Sequence, residues 1–358
     1  MTLINSELII DPNIFRQNIS YIKKKIKNSS KFLAVIKSDA YGHLLENIVS
    51  DIDDLVDGYG VVRADEAKKI RKLSKKKILL MQGIYSQDEF LFAKENNLDL
   101  VIHNNDQFKI IKNNNNYENL WIKINTGMNR LGFEIDEFKE IYKKYLFDKK
   151  FTLMTHLASS NDINSISNRE QFKLFNALSD KLNSEVEKSI ANTGCIINFP
   201  DQAHDWVRCG IGIYGGYIND SEIRTAMTLR SPIINIRSIK KGEKVGYDGR
   251  AVAYDDMKIA SVYIGYADGL PVSIKDGTKV IINNEEAEVF GKVSMDLTTL
   301  NVSNIDNCKL GDWCEFFSPN LPISNIAKSN DLISYYLMTS IKSRVKKVYK
   351  RVSKIILK

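Results

Sequence analysis

The sequence is poor in cysteine and contains no CxxC pair. Its four cysteines are Cys195, Cys209, Cys308 and Cys314. Their spacing matches no common zinc site, and isolated cysteines of this kind are typical of reduced cytosolic thiols. The sequence therefore predicts a protein without a metal centre and without a disulfide framework.

Long apolar runs are also missing. The chain nowhere has about 18 uninterrupted apolar residues, the length that crosses a bilayer. The first ten residues include Glu7 and lack the basic segment and apolar core of a secretory signal. We therefore expect no membrane span and a cytoplasmic location.

The charge balance is only moderately basic, with 51 Lys and Arg against 44 Asp and Glu and a net charge of +7. Short basic runs at residues 23–25 and 75–77 lie beside apolar patterns, as solvated surface residues do. No nucleic-acid-binding motif accompanies them, so a nucleic-acid partner is not expected. A modest positive field would favour an anionic cofactor.

Short apolar runs alternate with helical patterns through the first 228 of the 358 residues. Their continuous apolar character is typical of parallel strands buried on both faces. The runs are Phe32–Lys37, Gly58–Val62, Ile78–Gln82, Leu98–His103, Leu120–Asn125, Phe151–Leu157, Ser189–Asn192 and Trp206–Ile211. The helical stretches between them include Asp65–Leu73, Ser86–Glu95 with a capping box of Ser86 and Glu89, Asp136–Tyr145 and Ser167–Leu182.

Eight strand–helix repeats predict an α/β fold with an N-terminal (β/α)₈ TIM-like barrel over residues 1–228. After residue 229 the helical periodicity fades, and short strands recur between turn signals, which predicts a mainly β C-terminal domain over 229–358. The predicted elements there are Pro232–Ile239, Ile259–Ile264 and Lys279–Ile282 as strands, a helix at Ile333–Ser343, and a final exposed strand or helix around Lys346, Lys347 and Lys350. The asparagine tract Asn113–Asn116 is interpreted as a surface connection.

Reactive and cationic side chains follow several of the barrel strands, where barrel active sites lie. Lys37 comes directly after the apolar run 32–36, so burial would lower its pKa and free its amine to capture a carbonyl group. On position alone, the sequence slightly favours the other interpretation, a lysine that merely ends a strand and reaches solvent. The other polar residues at these ends are Tyr41, Lys123, Arg130, His156, Asn192, Thr193 and Arg208.

A glycine-rich segment, GIGIYGG at residues 210–216, follows the eighth run. Glycine lets backbone N–H groups approach a phosphate closely, and phosphate sites after strands seven and eight recur in barrels. Tight packing would explain these glycines as well. Taken alone, the segment leaves both interpretations open.

Five segments, in order along nearly the whole chain, resemble motifs of the alanine racemase family. They are VIKSDAYGH at 35–43, NTGMNRLG at 125–132, VRCGIGIYG at 207–215, IGYADG at 264–269 and GKVSMD at 291–296. Each motif is moderately specific, and all five together at fitting spacing are very specific. The resemblance implies a pyridoxal-phosphate barrel followed by a β-domain.

The resemblance implies pyridoxal 5′-phosphate as the cofactor. Lys37 would hold it as a Schiff base and move a proton at the substrate Cα. Arg208 would face the pyridine nitrogen and keep it unprotonated, because arginine does not easily give up a proton; this favours proton return to Cα over transamination. The remaining cofactor contacts would come from Tyr41, Arg130, His156, Asn192, Thr193, Tyr335 and the backbone N–H groups of Gly210 and Ile211.

Tyr266 would be the second base, on the opposite face of the cofactor, hydrogen-bonded to His156 unless that ring pairs with Arg208. In the family this tyrosine comes from the partner subunit, so the resemblance implies a homodimer with composite sites. Arg130 and the backbone N–H of Met295 would hold the substrate carboxylate, with Asp296 in a supporting role. Lys123 matches a lysine that is carbamylated in some relatives and would then orient Arg130.

The sequence also departs from the family's motifs. The departures are Leu44 and Asn129 in place of glycines, Cys209 and Lys346 in place of prolines, and Tyr336 in place of a common glutamate. None of them removes a catalytic side chain. Cys209 and Tyr336 could change the shape of the pocket, so the implied substrate is less certain than the implied reaction.

The predicted function is an alanine racemase that interconverts L- and D-alanine and supplies D-alanine for peptidoglycan. A racemase of serine or another small amino acid on the same fold remains an alternative. Decarboxylases of this barrel type usually oppose the pyridine nitrogen with a carboxylate, so Arg208 disfavours them. A non-catalytic pyridoxal-phosphate carrier is disfavoured by the β-domain that carries Tyr266 and Met295.

Overall fold

Eight parallel strands form the first sheet of the computed structural model, which describes residues 5–112 and 117–351. The sheet runs in the order β8-β7-β6-β5-β4-β3-β2-β9. Its two ends meet where Arg208 donates its backbone N–H to the carbonyl of Ala191 at 2.9 Å, beside a parallel bridge between Asn192 and Arg208. The strands are β2 (Lys31–Val35), β3 (Gly58–Val61), β4 (Lys77–Leu80), β5 (Asp99–Ile102), β6 (Leu120–Lys123), β7 (Thr152–Met154), β8 (Glu187–Ser189) and β9 (Trp206–Cys209).

The barrel strands coincide with the predicted apolar runs because they are buried on both faces. Every residue of β3, β5, β6 and β9 is buried. The largest difference is at β8, which begins two residues before the predicted start and ends at Ser189. Its sequence EKS is only partly buried, so apolar patterning marked the segment after it instead.

Helices connect the barrel strands. The helix Leu45–Ile52 buries Leu45, Ile48, Val49 and Ile52 on one face. The first helix precedes β2, and the predicted helix 136–145 is an α-helix that passes into a π-helical turn at Tyr142–Leu146. The right-handed α-helices described in this part of the chain are Pro12–Lys23, Leu45–Ile52, Ala64–Leu73, Gln87–Glu95, Asn105–Lys112, Ile135–Ile141, Ile166–Ser179 and Thr193–Asn198.

The predicted capping box is half formed. Ser86 Oγ accepts the backbone N–H of Glu89 at 3.1 Å, which satisfies one of the free donors at the start of the helix. The Glu89 carboxylate accepts the N–H of Tyr85 instead of that of Ser86. The helix therefore starts where the sequence predicted, with a different reciprocal bond.

The second sheet is mainly antiparallel, and most of its strands come from the C-terminal part, which was predicted to be mainly β. Its order is β13-β16-β15-β14-β17-β10-β1-β18, and β13 also pairs with β10, so part of the sheet closes on itself. A separate hairpin joins β11 (Lys244–Val245) to β12 (Ala251–Val252). The strands of the large sheet are β1 (Glu7–Ile10), β10 (Met227–Ile239), β13 (Met257–Val262), β14 (Lys279–Ile282), β15 (Glu285–Val289), β16 (Thr298–Asn301), β17 (Trp313–Phe317) and β18 (Lys346–Tyr349).

Turn chemistry explains the hairpin between β14 and β15. Asn283 and Asn284 have φ values of 52° and 67°, the left-handed conformation that two-residue hairpin turns require and asparagine tolerates. Two helices follow β17, at Ile323–Ser329 and Ser334–Ser340. The second corresponds to the predicted helix Ile333–Ser343 and ends three residues earlier than predicted.

The two compact units of the structure are Arg16–Ile213, and residues 5–15 together with 214–351. β1 belongs to the second unit because it pairs with β10 and β18, whereas the sequence analysis assigned residues 1–228 to the barrel. The division into 1–228 and 229–358 as functional domains stays a prediction. The tract Asn113–Asn116 lies outside the described residues, and none of the helices described is long and apolar enough to cross a membrane.

Candidate active site

The predicted site residues divide between the two units. The barrel unit holds Lys37, Tyr41, Lys123, Arg130, His156, Asn192, Thr193, Arg208, Gly210 and Ile211, and the other unit holds Tyr266, Met295, Asp296 and Tyr335. Within the barrel unit they all lie at or beyond the carboxyl ends of the parallel strands. This is the end at which barrel active sites are built.

Lys37 is positioned by a left-handed turn that the sequence did not reveal. β2 ends at Val35, and the next four residues after Lys37, at 38–41, have φ values between 52° and 56°. Residues with a Cβ pay roughly 1–2 kcal/mol each for this conformation. The carboxylate of Glu66 accepts the N–H of Asp39 at 3.2 Å, and the Asp39 carboxylate accepts that of Leu45 at 2.9 Å, so side chains stabilise the turn.

A cluster of positive charges surrounds Lys37. Burial and the nearby Arg130 lower the pKa of Lys37, while Glu66 opposes this shift. Burial, followed by Arg208, Arg130 and Lys37, lowers the pKa of Lys123 to about 8. A substantial fraction of Lys123 is therefore neutral at mildly alkaline pH.

His156 lies in the same positive field. Burial, followed by Arg208 and Lys123, holds the pKa of His156 well below its ordinary value. Its imidazole is therefore neutral at physiological pH and can accept or donate a hydrogen bond.

Arg208 is almost fully buried, 2% exposed, on β9. Its guanidinium donates to the carbonyl and the hydroxyl of Ser189 at 2.9 and 2.5 Å and to the carbonyl of Thr155 at 2.6 Å. Burial lowers its pKa to about 10, so it remains charged at neutral pH. Its Nε is buried and has no hydrogen-bond partner among the described residues, which leaves one directed donor for an acceptor such as a pyridine nitrogen.

A small cradle lies beside Arg208, where the glycine-rich segment begins. Thr193 Oγ1 accepts the N–H groups of Gly210 and Gly212 at 3.3 and 3.4 Å. A Cβ on Gly210 would lie 2.6 Å from the hydroxyl oxygen of Tyr41, so a side chain there would collide with the tyrosine. Tyr41, Thr193 and backbone N–H groups thus converge, as a phosphate site requires, with the buried Ile211 next in the same turn.

Asn192 fixes the segment that carries Thr193. Its Oδ1 accepts the N–H of Cys195 at 3.1 Å and the hydroxyl of Ser160 at 2.7 Å. This bond begins the helix Thr193–Asn198. Asn192 therefore has a clear role in local structure, whether or not it touches a cofactor.

In the other unit, the structure brings Tyr266 and Met295 together. The N–H of Tyr266 donates to the carbonyl of Ser294 and that of Ala267 to the carbonyl of Met295, both at 3.0 Å. A Cβ on Gly265 would lie 2.3 Å from the Ser294 carbonyl oxygen, so the contact requires glycine. Tyr266 and Met295 are 40% and 53% exposed, which leaves both available to another molecule.

Arg344, which no motif of the sequence marks, connects the segment of Tyr266 to the segment of Met295. Its guanidinium pairs with Asp268 at 3.0 Å and with Asp296 at 2.8 Å. Asp268 also accepts the N–H of Gly265 at 2.9 Å. Asp296 thus supports the segment around Tyr266 through Arg344. The last predicted residue, Tyr335, is partly exposed on the helix Ser334–Ser340 of the same unit.

Comparison with known proteins accounts for both units. The model of the alanine racemase N-terminal domain matches residues 10–218, and that of the C-terminal domain matches residues 226–349. The chain belongs to the alanine racemase family. The resemblance inferred from five motifs and the predicted fold class, a TIM-like barrel followed by a mainly β domain, are both confirmed.

Relatives in this family match over nearly their full length. The alanine racemase of Mannheimia succiniciproducens is 36% identical over 341 residues, 92% of this chain and 95% of the relative. That of Alteromonas mediterranea is 35% identical over 335 residues, 91% and 93% of the two chains.

Solved alanine racemases share the fold. The biosynthetic alanine racemase from Pseudomonas aeruginosa superposes with a TM-score of 0.92 at 28% identity, covering 98% of this chain and 100% of that one. The enzyme from Bartonella henselae, solved with covalently bound pyridoxal phosphate, has a TM-score of 0.87 at 23% identity, covering 97% and 99%.

We expect Lys123→Met to stabilise the cofactor-free protein at pH 7. The pKa of about 8 in the folded protein lies below the unfolded value of roughly 10.4, so folding disfavours the protonated amine. The resulting loss of folding free energy is complete below pH 8. It disappears as the pH rises towards the pKa of the lysine in the unfolded chain. It amounts to at most about 3 kcal/mol, because a tenfold change in proton affinity corresponds to about 1.4 kcal/mol.

Thermal unfolding of both proteins between pH 7 and pH 10 measures this effect. The gain in Tm from Lys123→Met should shrink above pH 8. The matched control is Lys31→Met, which removes an exposed lysine at the start of β2 and should show no such trend over the same interval. A gain in Tm from Lys123→Met that stays constant with pH would contradict the lowered pKa of Lys123.

Proposed function

We propose that this chain racemises alanine with pyridoxal 5′-phosphate, in the cytoplasm, and so supplies D-alanine for peptidoglycan. Membership of the alanine racemase family over both domains supports the reaction class. The observation that carries the proposal is the buried guanidinium of Arg208, with its charge retained and its Nε unpartnered among the described residues. A donor that cannot easily lose its proton suits an unprotonated pyridine nitrogen.

The residues of the barrel unit fit the cofactor in chemistry as well as in place. Arg208 offers one directed donor to the ring, Tyr41 and Thr193 offer hydroxyls at the glycine-rich turn, and Lys37 offers an amine of lowered pKa. The residues proposed to hold the cofactor are Lys37, Tyr41, Arg130, His156, Asn192, Thr193, Arg208, Tyr335 and the backbone N–H groups of Gly210 and Ile211.

Bound pyridoxal phosphate supplies the electron withdrawal that acidifies the α-hydrogen of an amino acid. Lys37 anchors the cofactor and moves a proton at Cα on one face, which its lowered pKa makes easier near neutral pH. Tyr266 of the partner subunit moves a proton on the other face, so the configuration at Cα is inverted. Arg208 keeps the ring nitrogen unprotonated and thereby favours return of the proton to Cα.

Arg130 and the backbone N–H of Met295 of the partner subunit are proposed to bind the substrate carboxylate. Arg130 is exposed beyond the end of β6, and its forked guanidinium suits two carboxylate oxygens. Its loop is held by Asn125, whose side chain accepts the N–H groups of Gly127 and Asn129 at 3.1 Å. The exposed Met295 and Tyr266 suit composite sites in a homodimer.

Lys123 is proposed to become carbamylated. The charges of Arg208, Arg130 and Lys37 act on this buried amine, and a carbamate would put a negative charge in their positive field. A neutral amine is the form that reacts with CO₂, and the lowered pKa of Lys123 increases its fraction. The Lys123→Met variant also tests carbamylation. Added bicarbonate should raise the Tm of the unsubstituted protein and leave that of the variant unchanged.

Racemase assays on the cofactor-loaded protein test the proposal directly. We expect L-alanine to be converted to D-alanine faster than L-serine and much faster than larger amino acids. Lys37→Ala should abolish turnover and the borohydride-trapped attachment of the cofactor seen by mass spectrometry. Lys31→Ala, at the start of β2, the strand that precedes Lys37, should retain both. Faster turnover of serine would move the proposal to a serine racemase, and cofactor binding without turnover of any amino acid would favour a carrier.

Complementation between two inactive variants tests the composite site. Lys37→Ala and Tyr266→Phe should each be severely impaired as homodimers. After mixed refolding, a heterodimer contains one site with both residues intact, so about a quarter of full activity should return by random pairing of two equivalent sites. If both residues acted within one subunit, mixing would restore nothing.

A further inference from the structure

Gln171 is a buried side chain that joins two loops of the proposed active site. It lies on the helix Ile166–Ser179 and is 1% exposed. Its Nε2 donates to Thr126 Oγ1 at 2.9 Å and to the carbonyl of His156 at 3.0 Å, and its Oε1 accepts the N–H of Ala158 at 2.9 Å. One amide group therefore links the loop after β6 to the loop after β7.

The hydrogen bonds continue from Thr126 towards Arg208. Thr126 Oγ1 lies 2.7 Å from Thr155 Oγ1, and Thr155 Oγ1 donates to the carbonyl of Ile124 at 3.0 Å. A hydroxyl has one hydrogen, so Thr126 must be the donor to Thr155. The carbonyl of the same Thr155 accepts from Arg208 at 2.6 Å.

This chain of bonds reaches three functional groups from one side. Gln171 binds the peptide of His156 directly. Through Thr126 it holds the start of the loop that carries Arg130. Through Thr126 and Thr155 it also holds the carbonyl that accepts from Arg208. The Cγ of Gln171 would also lie 3.6 Å from a Cβ on Gly127, so its stem packs on that loop. All of these groups belong to the barrel unit.

We propose that Gln171 is a positioning residue, which holds His156, Arg208 and the Arg130 loop in their catalytic arrangement. The inference rests on the proposed racemase function. It goes beyond it by assigning a role to a side chain that touches neither cofactor nor substrate. Small displacements of positioned groups lower turnover steeply, on the order of a hundredfold for about 1 Å.

The test compares Gln171→Met with Gln107→Met in the cofactor-loaded enzyme. Gln107 is a second buried glutamine, 2% exposed, on the barrel helix Asn105–Lys112. It accepts the N–H of His103 at 3.0 Å and donates to the carbonyl of Gln82 at 2.8 Å, so it also ties two barrel loops. Both substitutions keep the length of the side chain and remove its polar bonds, and both should lower the Tm by similar amounts.

Only Gln171→Met should change the chemistry. We expect its kcat/KM for alanine to fall about ten- to a hundredfold, and the visible circular dichroism of its bound cofactor to change because the ring is held differently. Gln107→Met should keep kcat/KM within about twofold of the original enzyme, since any positional effect there is small. The visible circular dichroism of its cofactor should be unchanged. Equal kinetic losses in the two variants, or unchanged dichroism and kcat/KM in Gln171→Met, would overturn the proposal.

Two further variants keep the inference testable if Gln171→Met fails to fold. Thr126→Val removes one hydroxyl of the same chain at nearly constant shape and should reproduce the loss of kcat/KM and the altered dichroism. Gln171→Glu retains the acceptor for Ala158 and regains one donor when protonated, so its activity relative to the original enzyme should rise as the pH falls. Flat pH dependence of that ratio, with normal activity in Thr126→Val, would count against positioning.

The two proposals fail in different ways. If the unsubstituted enzyme binds pyridoxal phosphate and racemises no amino acid, the proposed function is wrong, and the dichroism comparison still tests what Gln171 holds in place. If the unsubstituted enzyme racemises alanine and Gln171→Met matches it, the proposed function stands and the positioning role is wrong.

Discussion

The burial of Arg208 in the barrel is the constraint on which the rest of the site depends. A guanidinium out of water must have hydrogen-bond acceptors, because a buried unpaired charge is very costly. The ends of β7 and β8 supply them through the carbonyls of Thr155 and Ser189. The strand ends are thus held to the arginine, and its buried Nε, which has no hydrogen-bond partner among the described residues, is left to donate to another molecule.

The same charge shapes the chemistry around it. Burial, together with the charges of Arg208 and Arg130, disfavours further protonation, so Lys123 has a pKa of about 8 and His156 is neutral. A site that concentrates positive charge in this way is suited to anions. A cofactor phosphate and a substrate carboxylate both meet that description, which joins the electrostatics of the barrel to the reaction of the alanine racemase family.

The barrel strands could be predicted from the sequence, because strands buried on both faces appear as continuous apolar runs. β8 could not, since its EKS segment is only partly buried. The left-handed turn at 38–41 could not be predicted either, because it contains no glycine or asparagine. Glu66 and Arg344 could be identified only in three dimensions, because each binds segments that are distant in sequence. Gln171 was hidden in an ordinary amphipathic helix for the same reason.

The sequence by itself determined the fold class and the family, and it predicted which side chains are reactive, since all three follow from apolar periodicity and from motifs of contiguous residues. Only the tertiary structure decided what those side chains can do. The pKa values of Lys37 and Lys123 depend on burial and on charges from several parts of the barrel unit. The pairing of Tyr266 with Met295 depends on backbone bonds between distant turns. Such effects act through space, and no local pattern along the chain encodes them.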